Sequence, residues 1–181
     1  MIKSEILDKR SICHALISST RNPEIIIPVK AVIDDVFFDE NIPTYILRII
    51  KVYDNIHFLK EFLYNTPYLT NHKGKSKPLK IPKFNTTAEL ETWFSQKTSY
   101  RFCVESNFVV KTKIEMLDLF HRIQEYIIYK ELRSIKRSIM RSSYNGPLKV
   151  NSKIDYNERI KRAFGDKFKN IEDLNSFIDS I

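Results

Sequence analysis

Glycine and cysteine are both scarce in this sequence, and each shortage excludes a class of function. Among 181 residues there are only 3 glycines and 2 cysteines. Nucleotide-binding loops need clustered glycines, because the backbone must approach the phosphates closely, so P-loop and Rossmann chemistry are excluded. Cys13 and Cys103 are too few for a disulfide framework, and we interpret both as buried thiols in a reducing compartment.

Long apolar runs are also missing. No stretch approaches the roughly eighteen continuous apolar residues of a membrane span. The N-terminal residues carry charges where a signal peptide would have an apolar core. We therefore expect a cytoplasmic, intracellular protein with no membrane association. A hydrophobic content of 43% is typical of a folded chain rather than a disordered one.

The net charge of +8 is concentrated in the middle of the chain. Residues 1–66 carry a net charge of −1, residues 67–153 carry +10, and residues 154–181 carry −1. A localised excess of positive charge attracts polyanions. The chain is also rich in isoleucine and lysine, as proteins of A/T-rich bacteria, phages and viruses are, so codon bias can explain part of the lysine excess.

Hydrophobic periodicity predicts a mainly α-helical protein. Apolar residues recur at helical spacing over residues 4–17, 29–37 and 43–64. The longest pattern predicts a central helix over about 112–143, with Leu132 and Ile135 among its buried residues. The alternation near residues 99–110 predicts a small strand or hairpin element.

We expect a single domain, residues 1–181, which can divide into two lobes. A helical cluster over 1–66 would be followed by a basic linker or loop over 67–86. The linker prediction depends on three prolines and a glycine, which interrupt regular structure. A basic helical lobe over 87–181 would complete the chain.

The first candidate nucleic-acid-binding element is a lysine-rich loop, with no acidic residue between Tyr68 and Thr87. Such a loop can follow phosphates, since each contact releases counterions without requiring rigid geometry. The alternative is a linker whose lysines only keep it soluble. The candidate phosphate-binding residues are Lys73, Lys75, Lys77, Lys80 and Lys83.

The second candidate element is the basic face of the long helix. Lys130, Arg133, Arg137 and Arg141 follow a spacing that makes all four project the same way, and Lys136 lies at their edge. Nucleic acid, an acidic protein partner and plain solvation all remain open for this face.

Signatures of an enzyme are thin. His121 and Glu125 are one helical turn apart, but a zinc site needs further ligands, and neither HExxH nor CxxC occurs. A polar surface explains these two residues better. No catalytic residue, metal or cofactor is therefore predicted, and an enzyme is disfavoured without being excluded.

The predicted function is that of a non-enzymatic nucleic-acid-binding protein that contacts phosphates through residues 72–83 and 130–141. We expect the two elements to form one surface. The alternative is an assembly or adaptor protein, of a kind that phages and viruses also encode, which binds another protein through helical faces. The sequence does not distinguish DNA from RNA.

Overall fold

In the computed structural model, three antiparallel strands occupy the stretch where the sequence predicts helices. These are β1 Ile12–Ser18, β2 Ile26–Asp39 and β3 Ile42–Val52. The central strand, β2, pairs with both of its neighbours. The prediction of a mainly α-helical protein is therefore wrong, because the fold is mixed α/β with a five-stranded antiparallel sheet.

The helical prediction fails because the apolar residues of these strands are too dense to define one period. Most of β2 from Ile26 to Ile33 is buried, on both faces of the sheet. A continuous apolar run fits a buried strand and a buried helix equally well. Side-chain shape favours the strand here, because the β-branched Ile and Val of this run pack well on a pleated surface.

The described residues belong to two compact units, one within Met1–Leu117 and the other within Asp118–Ile181. The structure describes residues 6–70, 75–96 and 101–141, together with positions 160–162, 164, 168, 172, 173 and 176.

A tight turn joins β2 to β3. Glu40 and Asn41 have φ values of 46° and 71°. Two consecutive left-handed residues are the mark of the turn whose twist matches a β-hairpin. Asn adopts this conformation readily, whereas Glu does so rarely. The sequence signal for the hairpin is therefore weaker than the usual Asn-Gly pair.

Helix α1 Ile56–Tyr64 follows β3. The side-chain oxygen of Asn55 accepts hydrogen bonds from the backbone N–H groups of His57 and Phe58, at 3.0 and 3.2 Å. The helix buries Phe58 and Phe62 together with two leucines. Only the second part of the predicted helical stretch 43–64 is thus helical.

We expect Asn55→Ala to lower the free energy of unfolding by about 1 kcal/mol, because two N–H groups of the first turn lose their acceptor. Urea denaturation with fluorescence detection measures the change. Asn55→Asp is the matched control, since it keeps the side-chain acceptor and should stay close to wild type. Equal midpoints for the alanine variant and wild type would contradict the capping role.

A two-stranded sheet and a second helix lie in the next segment. Strands β4 Tyr68–Thr70 and β5 Ser76–Pro78 pair antiparallel within the stretch predicted as a linker. Leu69 and Leu79 are buried in the core. Helix α2 Thr87–Ser95 starts at Thr86, whose hydroxyl accepts from the Glu89 N–H at 3.3 Å.

The last strands of the sheet lie at its two opposite edges. Strand β6 Phe102–Glu105 pairs with β3, and strand β7 Val109–Val110 pairs with β1. The 3₁₀ turn Ser106–Phe108 is their whole connection. Because three residues bridge the two edges, the sheet must curl strongly. A strand element near 99–110 is thus present, but β6 and β7 do not form a hairpin with each other.

The hydrophobic core fills the concave side of this curled sheet. Inward residues of β1, β2 and β3 alternate with outward ones, and α1 and α2 add their buried faces. Phe102 lies between two helical phenylalanines, with ring centroids 6.3 Å from Phe62 and 5.9 Å from Phe94. Such aromatic contacts combine a large buried area with a defined geometry.

The long helix predicted over about 112–143 is present as α3 Lys113–Arg141. It begins with a capping box: the Thr112 hydroxyl accepts from the Glu115 N–H, and the Glu115 carboxylate accepts from the Thr112 N–H at 3.0 Å. The hydrogen bond from the Thr112 hydroxyl is the main cause that lowers the pKa of Glu115. The side chains of Leu132 and Ile135 lie outside the described residues.

The second unit buries one face of α3 around Gln124. Phe120, Gln124 and Ile128 are buried there. Arg162 donates a hydrogen bond to the Gln124 side-chain oxygen at 3.3 Å, and its guanidinium lies 4.9 Å from the Phe120 ring centroid.

Among the helices that the structure describes, none has the length and apolar character needed to cross a membrane.

Candidate nucleic-acid interface

The lysine-rich loop predicted from the sequence is partly described. Lys75, Lys80 and Lys83 are exposed. Lys77 belongs to β5, but its side chain lies outside the described residues, and so does all of Lys73. The loop therefore contains at least three lysines whose side chains reach solvent.

The basic helix face lies in the second unit. Lys130 and Arg133 are exposed. Lys136, Arg137 and Arg141 belong to α3, but their side chains lie outside the described residues. Since the loop and the helix face belong to different units, the single surface expected from the sequence stays a prediction.

A second group of basic residues, which the sequence reasoning missed, lies on the outer face of the sheet. In the strand register, Lys30 of β2 is directly opposite His14 of β1 and directly opposite Lys51 of β3. Directly paired residues project from the same face, with Cβ atoms about 5 Å apart. The adjacent residues Cys13, Val29 and Val52 are buried in the core. Because neighbouring residues of a strand point to opposite faces, the three residues of the basic row lie on the face away from the core.

Tyr53 connects this row to the start of α3. Its ring stacks on His14 with a centroid distance of 5.8 Å and an interplanar angle of 19°. The Nζ atoms of Lys113 and Lys51 lie 4.8 and 5.8 Å from the Tyr53 ring centroid. Both distances are within cation–π range. We call these five residues, His14, Lys30, Lys51, Tyr53 and Lys113, the sheet-face cluster.

The sheet-face cluster brings like charges together without neutralising them. In the described part of the chain, Lys30, Lys51 and Lys113 form no ion pair with a carboxylate. Like charges directly opposite each other on neighbouring strands destabilise a sheet. The cluster therefore costs stability in the isolated protein, and an anion bound among the lysines would remove that cost.

One carboxylate modifies the cluster at its edge. Glu91 of α2 accepts a hydrogen bond from the Val52 N–H at 2.8 Å. Burial, together with the negative charge of Glu91, raises the pKa of Tyr53. The Tyr53 hydroxyl is therefore protonated at neutral pH and can donate a hydrogen bond to an anion.

His14 is held in its neutral form. Its pKa is lowered first by burial and then by the positive charges of Lys30 and Lys113. Its Nδ1 atom is buried and has no hydrogen-bond partner. The positive charges of the face therefore add to the effect of burial in favouring the neutral imidazole.

Two arginines near the sheet, Arg48 and Arg101, are neutralised by a carboxylate. Asp34 of β2 forms ion pairs with Arg101 and with Arg48, the latter at 3.4 Å. Arg101 also lines a cavity of about 320 Å³ between β1 and β6, together with Thr20, Phe102 and other side chains. Asp34 neutralises much of the positive charge of Arg101 in this cavity. The cavity therefore attracts an anion less strongly than the sheet-face cluster does.

Neither the two cysteines nor His121 and Glu125, which the sequence disfavours as metal ligands, provide a reactive thiol or a metal-binding group among the described residues. Burial raises the pKa of the Cys13 thiol to about 12, and burial also raises the pKa of Cys103, although that residue is exposed at the surface. Both thiols are therefore protonated at neutral pH. Among the described residues, no three or more His, Cys, Asp or Glu side chains form a group that could hold a metal ion, including those around His121 and Glu125.

The sheet-face cluster escaped the sequence reasoning because the wrong secondary structure separates its members. Assigned to helices, residues 4–17, 29–37 and 43–64 have no reason to bring His14, Lys30 and Lys51 into one row. One signal was present. Lys30 interrupts an apolar run in β2, and Lys51 follows two isoleucines in β3; a charge within such a run must face solvent, an ion-pair partner or a ligand.

Comparisons with protein-family models, with curated proteins and with solved structures give no match. Function is therefore argued from the chemistry of the sites.

Proposed function

We propose that this protein binds nucleic acid without acting on it chemically, and that the sheet-face cluster is the principal contact with the phosphates. The observation that carries the proposal is the row of basic residues across three strands, continued by Lys113 at the start of α3. Lysines without carboxylate partners are the groups that displace counterions from a phosphate backbone.

The spacing of the row supports a backbone ligand. Neighbouring strands lie about 4.8 Å apart, so His14 and Lys51 are separated by about 10 Å across the sheet. A row of this length reaches more than one phosphate of a strand, given one charge per 3.4 Å of axis in each strand of a duplex. The Tyr53 hydroxyl supplies an uncharged donor, which is common in phosphate recognition.

The basic elements predicted from the sequence extend this proposal. Lys75, Lys80 and Lys83 are exposed in the first unit, and Lys130 and Arg133 are exposed in the second. We propose that these side chains make additional phosphate contacts, each within its own unit. The proposal does not distinguish DNA from RNA.

Fluorescence anisotropy with labelled single-stranded and duplex oligonucleotides, measured over a series of salt concentrations, tests this function. We expect binding at low salt and a linear fall of log K with log salt, by about 0.9 per duplex phosphate or 0.7 per single-strand phosphate contacted. A slope that indicates several contacts would support the proposal. Absence of binding to both probes at low salt would refute it.

An assembly or adaptor role is the second candidate, and the tip of the β2–β3 hairpin favours it. Phe38 is 62% exposed and Ile42 is 40% exposed, beside the acidic Asp39 and Glu40. Exposed apolar side chains with acidic neighbours suit a basic protein partner. This candidate, which now uses a hairpin in place of helical faces, leads if neither oligonucleotide binds.

An intracellular, reducing location also belongs to the proposal. Cys13 and Cys103 form no disulfide with each other, and the chain has no third cysteine. Disulfides are rare where thiols are kept reduced. Nucleic acid as the ligand fits the same location.

A further inference from the structure

We propose that His14 is itself a phosphate ligand of the sheet-face cluster and takes up a proton when nucleic acid binds. This inference rests on the proposed function and deepens it, because it assigns one residue a role beyond that of the lysines. The ligand class is a nucleic-acid phosphate, and the coupled event is the conversion of a neutral imidazole to an imidazolium ion.

The position of His14 carries the argument. The residue sits at one end of the basic row, directly opposite Lys30, and its ring is fixed by stacking on Tyr53. On its other side β1 pairs with β7, where Val110 faces His14. Val110 carries no charge, so the protein places only cationic and neutral groups around the imidazole from these strands.

The second ring nitrogen is available to a ligand. Nδ1 is buried without a partner, whereas Nε2 belongs to a half-buried side chain and makes no hydrogen bond in the structure. An imidazolium donates through both nitrogens, while a neutral imidazole donates through one and accepts through the other. A phosphate oxygen accepts only, so protonation lets Nε2 donate to it whichever tautomer is present in the free protein.

The charged groups near His14 explain why the proton arrives with the ligand. Burial is the main cause that lowers the pKa of His14, and the charges of Lys30 on β2 and Lys113 on α3 lower it further. Lys51 lies next in the row, and Glu91 is close to the neighbouring Tyr53. A bound phosphate offsets the lysine charges and attracts the imidazolium. The pKa of His14 is therefore higher in the complex than in the free protein.

The direction of the pH effect follows from this difference. A group whose pKa is higher in the complex contributes affinity that is fully present below its pKa in the free protein. That contribution is lost as the pH rises through its pKa in the complex. Since the pKa of free His14 lies below the usual 6.5 of histidine, we expect the affinity to rise as the pH falls below neutral.

Isothermal titration calorimetry with a single-stranded oligonucleotide tests the inference. Titrations at one pH in buffers of different ionisation enthalpy give the number of protons taken up, and a pH series gives the change in affinity. We expect wild type to take up a fraction of one proton and to bind more tightly as the pH falls. His14→Gln should bind with little or no proton uptake and with a weaker pH dependence.

His57→Gln is the matched control, since His57 is exposed on α1, outside the sheet-face cluster, and should keep the wild-type proton uptake. Thermal unfolding of each variant verifies that it is folded. Equal proton uptake by wild type and His14→Gln would overturn the inference, and so would zero uptake by wild type. Salt-dependent binding with either result would leave the proposed function standing. No binding by wild type at low salt would overturn both.

Discussion

Replacing Lys30, Lys51 and Lys113 together by glutamine is expected to reduce the salt dependence of nucleic-acid binding more than replacing three exposed basic residues outside the sheet-face cluster. If each lysine neutralises one phosphate, the slope of log K against log salt falls by about 2.7 for duplex and about 2.1 for single strands. The affinity at low salt should fall by orders of magnitude, since several charge contacts are lost together. Fluorescence anisotropy over a salt series measures both quantities.

The fold should survive this triple substitution. It removes repulsion between directly paired lysines, so the midpoint of thermal unfolding should stay the same or rise. The matched control replaces Arg21, Lys60 and Lys161, which are exposed outside the sheet-face cluster, and it removes the same net charge. Equal salt slopes for the two triple variants would show that net charge, and not the sheet-face cluster, determines binding.

Phe62→Ala is expected to lower the free energy of unfolding by about 3–5 kcal/mol. Phe62 is fully buried at 0% exposure, and its ring meets Phe102 across the core. The truncation removes buried apolar surface and leaves a cavity that helix α1 cannot close without losing its contact with the sheet. Such a loss is a large part of the 5–15 kcal/mol that stabilises an ordinary domain. Urea denaturation measures it.

Tyr64→Ala provides the control on the same helix. Tyr64 is 75% exposed, so its truncation should change the free energy of unfolding by less than about 0.5 kcal/mol. A Phe62→Ala variant with the same urea midpoint as Tyr64→Ala would show that α1 does not pack on the sheet as described.

The fold was predictable from the sequence only where the apolar residues follow a single periodic spacing. Helix α3 has sparse apolar residues at helical spacing, and its predicted range of about 112–143 agrees with Lys113–Arg141. Strands β2 and β3 contain apolar runs that satisfy several periods at once, so the helical prediction there was wrong. The pairing of β2 with β1 and β3 makes this stretch a strand and not a helix. That pairing depends on contacts between separate segments of the chain, which local periodicity does not show.

The candidate site was predictable to a smaller extent. The lysine-rich loop and the basic helix face are local features, which a linear sequence displays directly. His14, Lys30 and Lys51 lie about twenty residues apart and look unrelated until the antiparallel register aligns them. Lys113 joins them from the start of α3, where it contacts Tyr53 and its charge acts on His14.

The sequence by itself determined the excess of positive charge, the long helix and the absence of glycine-rich phosphate loops, because composition and local periodicity are properties of the linear chain. The tertiary structure alone decided that the first third of the chain is a sheet and that its few basic residues meet on one face. The physical reason is that strand partners are selected by contacts between segments far apart in sequence. Local propensity allows an apolar run to form either a helix or a strand. Cross-strand pairing and burial against α1 and α2 select the strand.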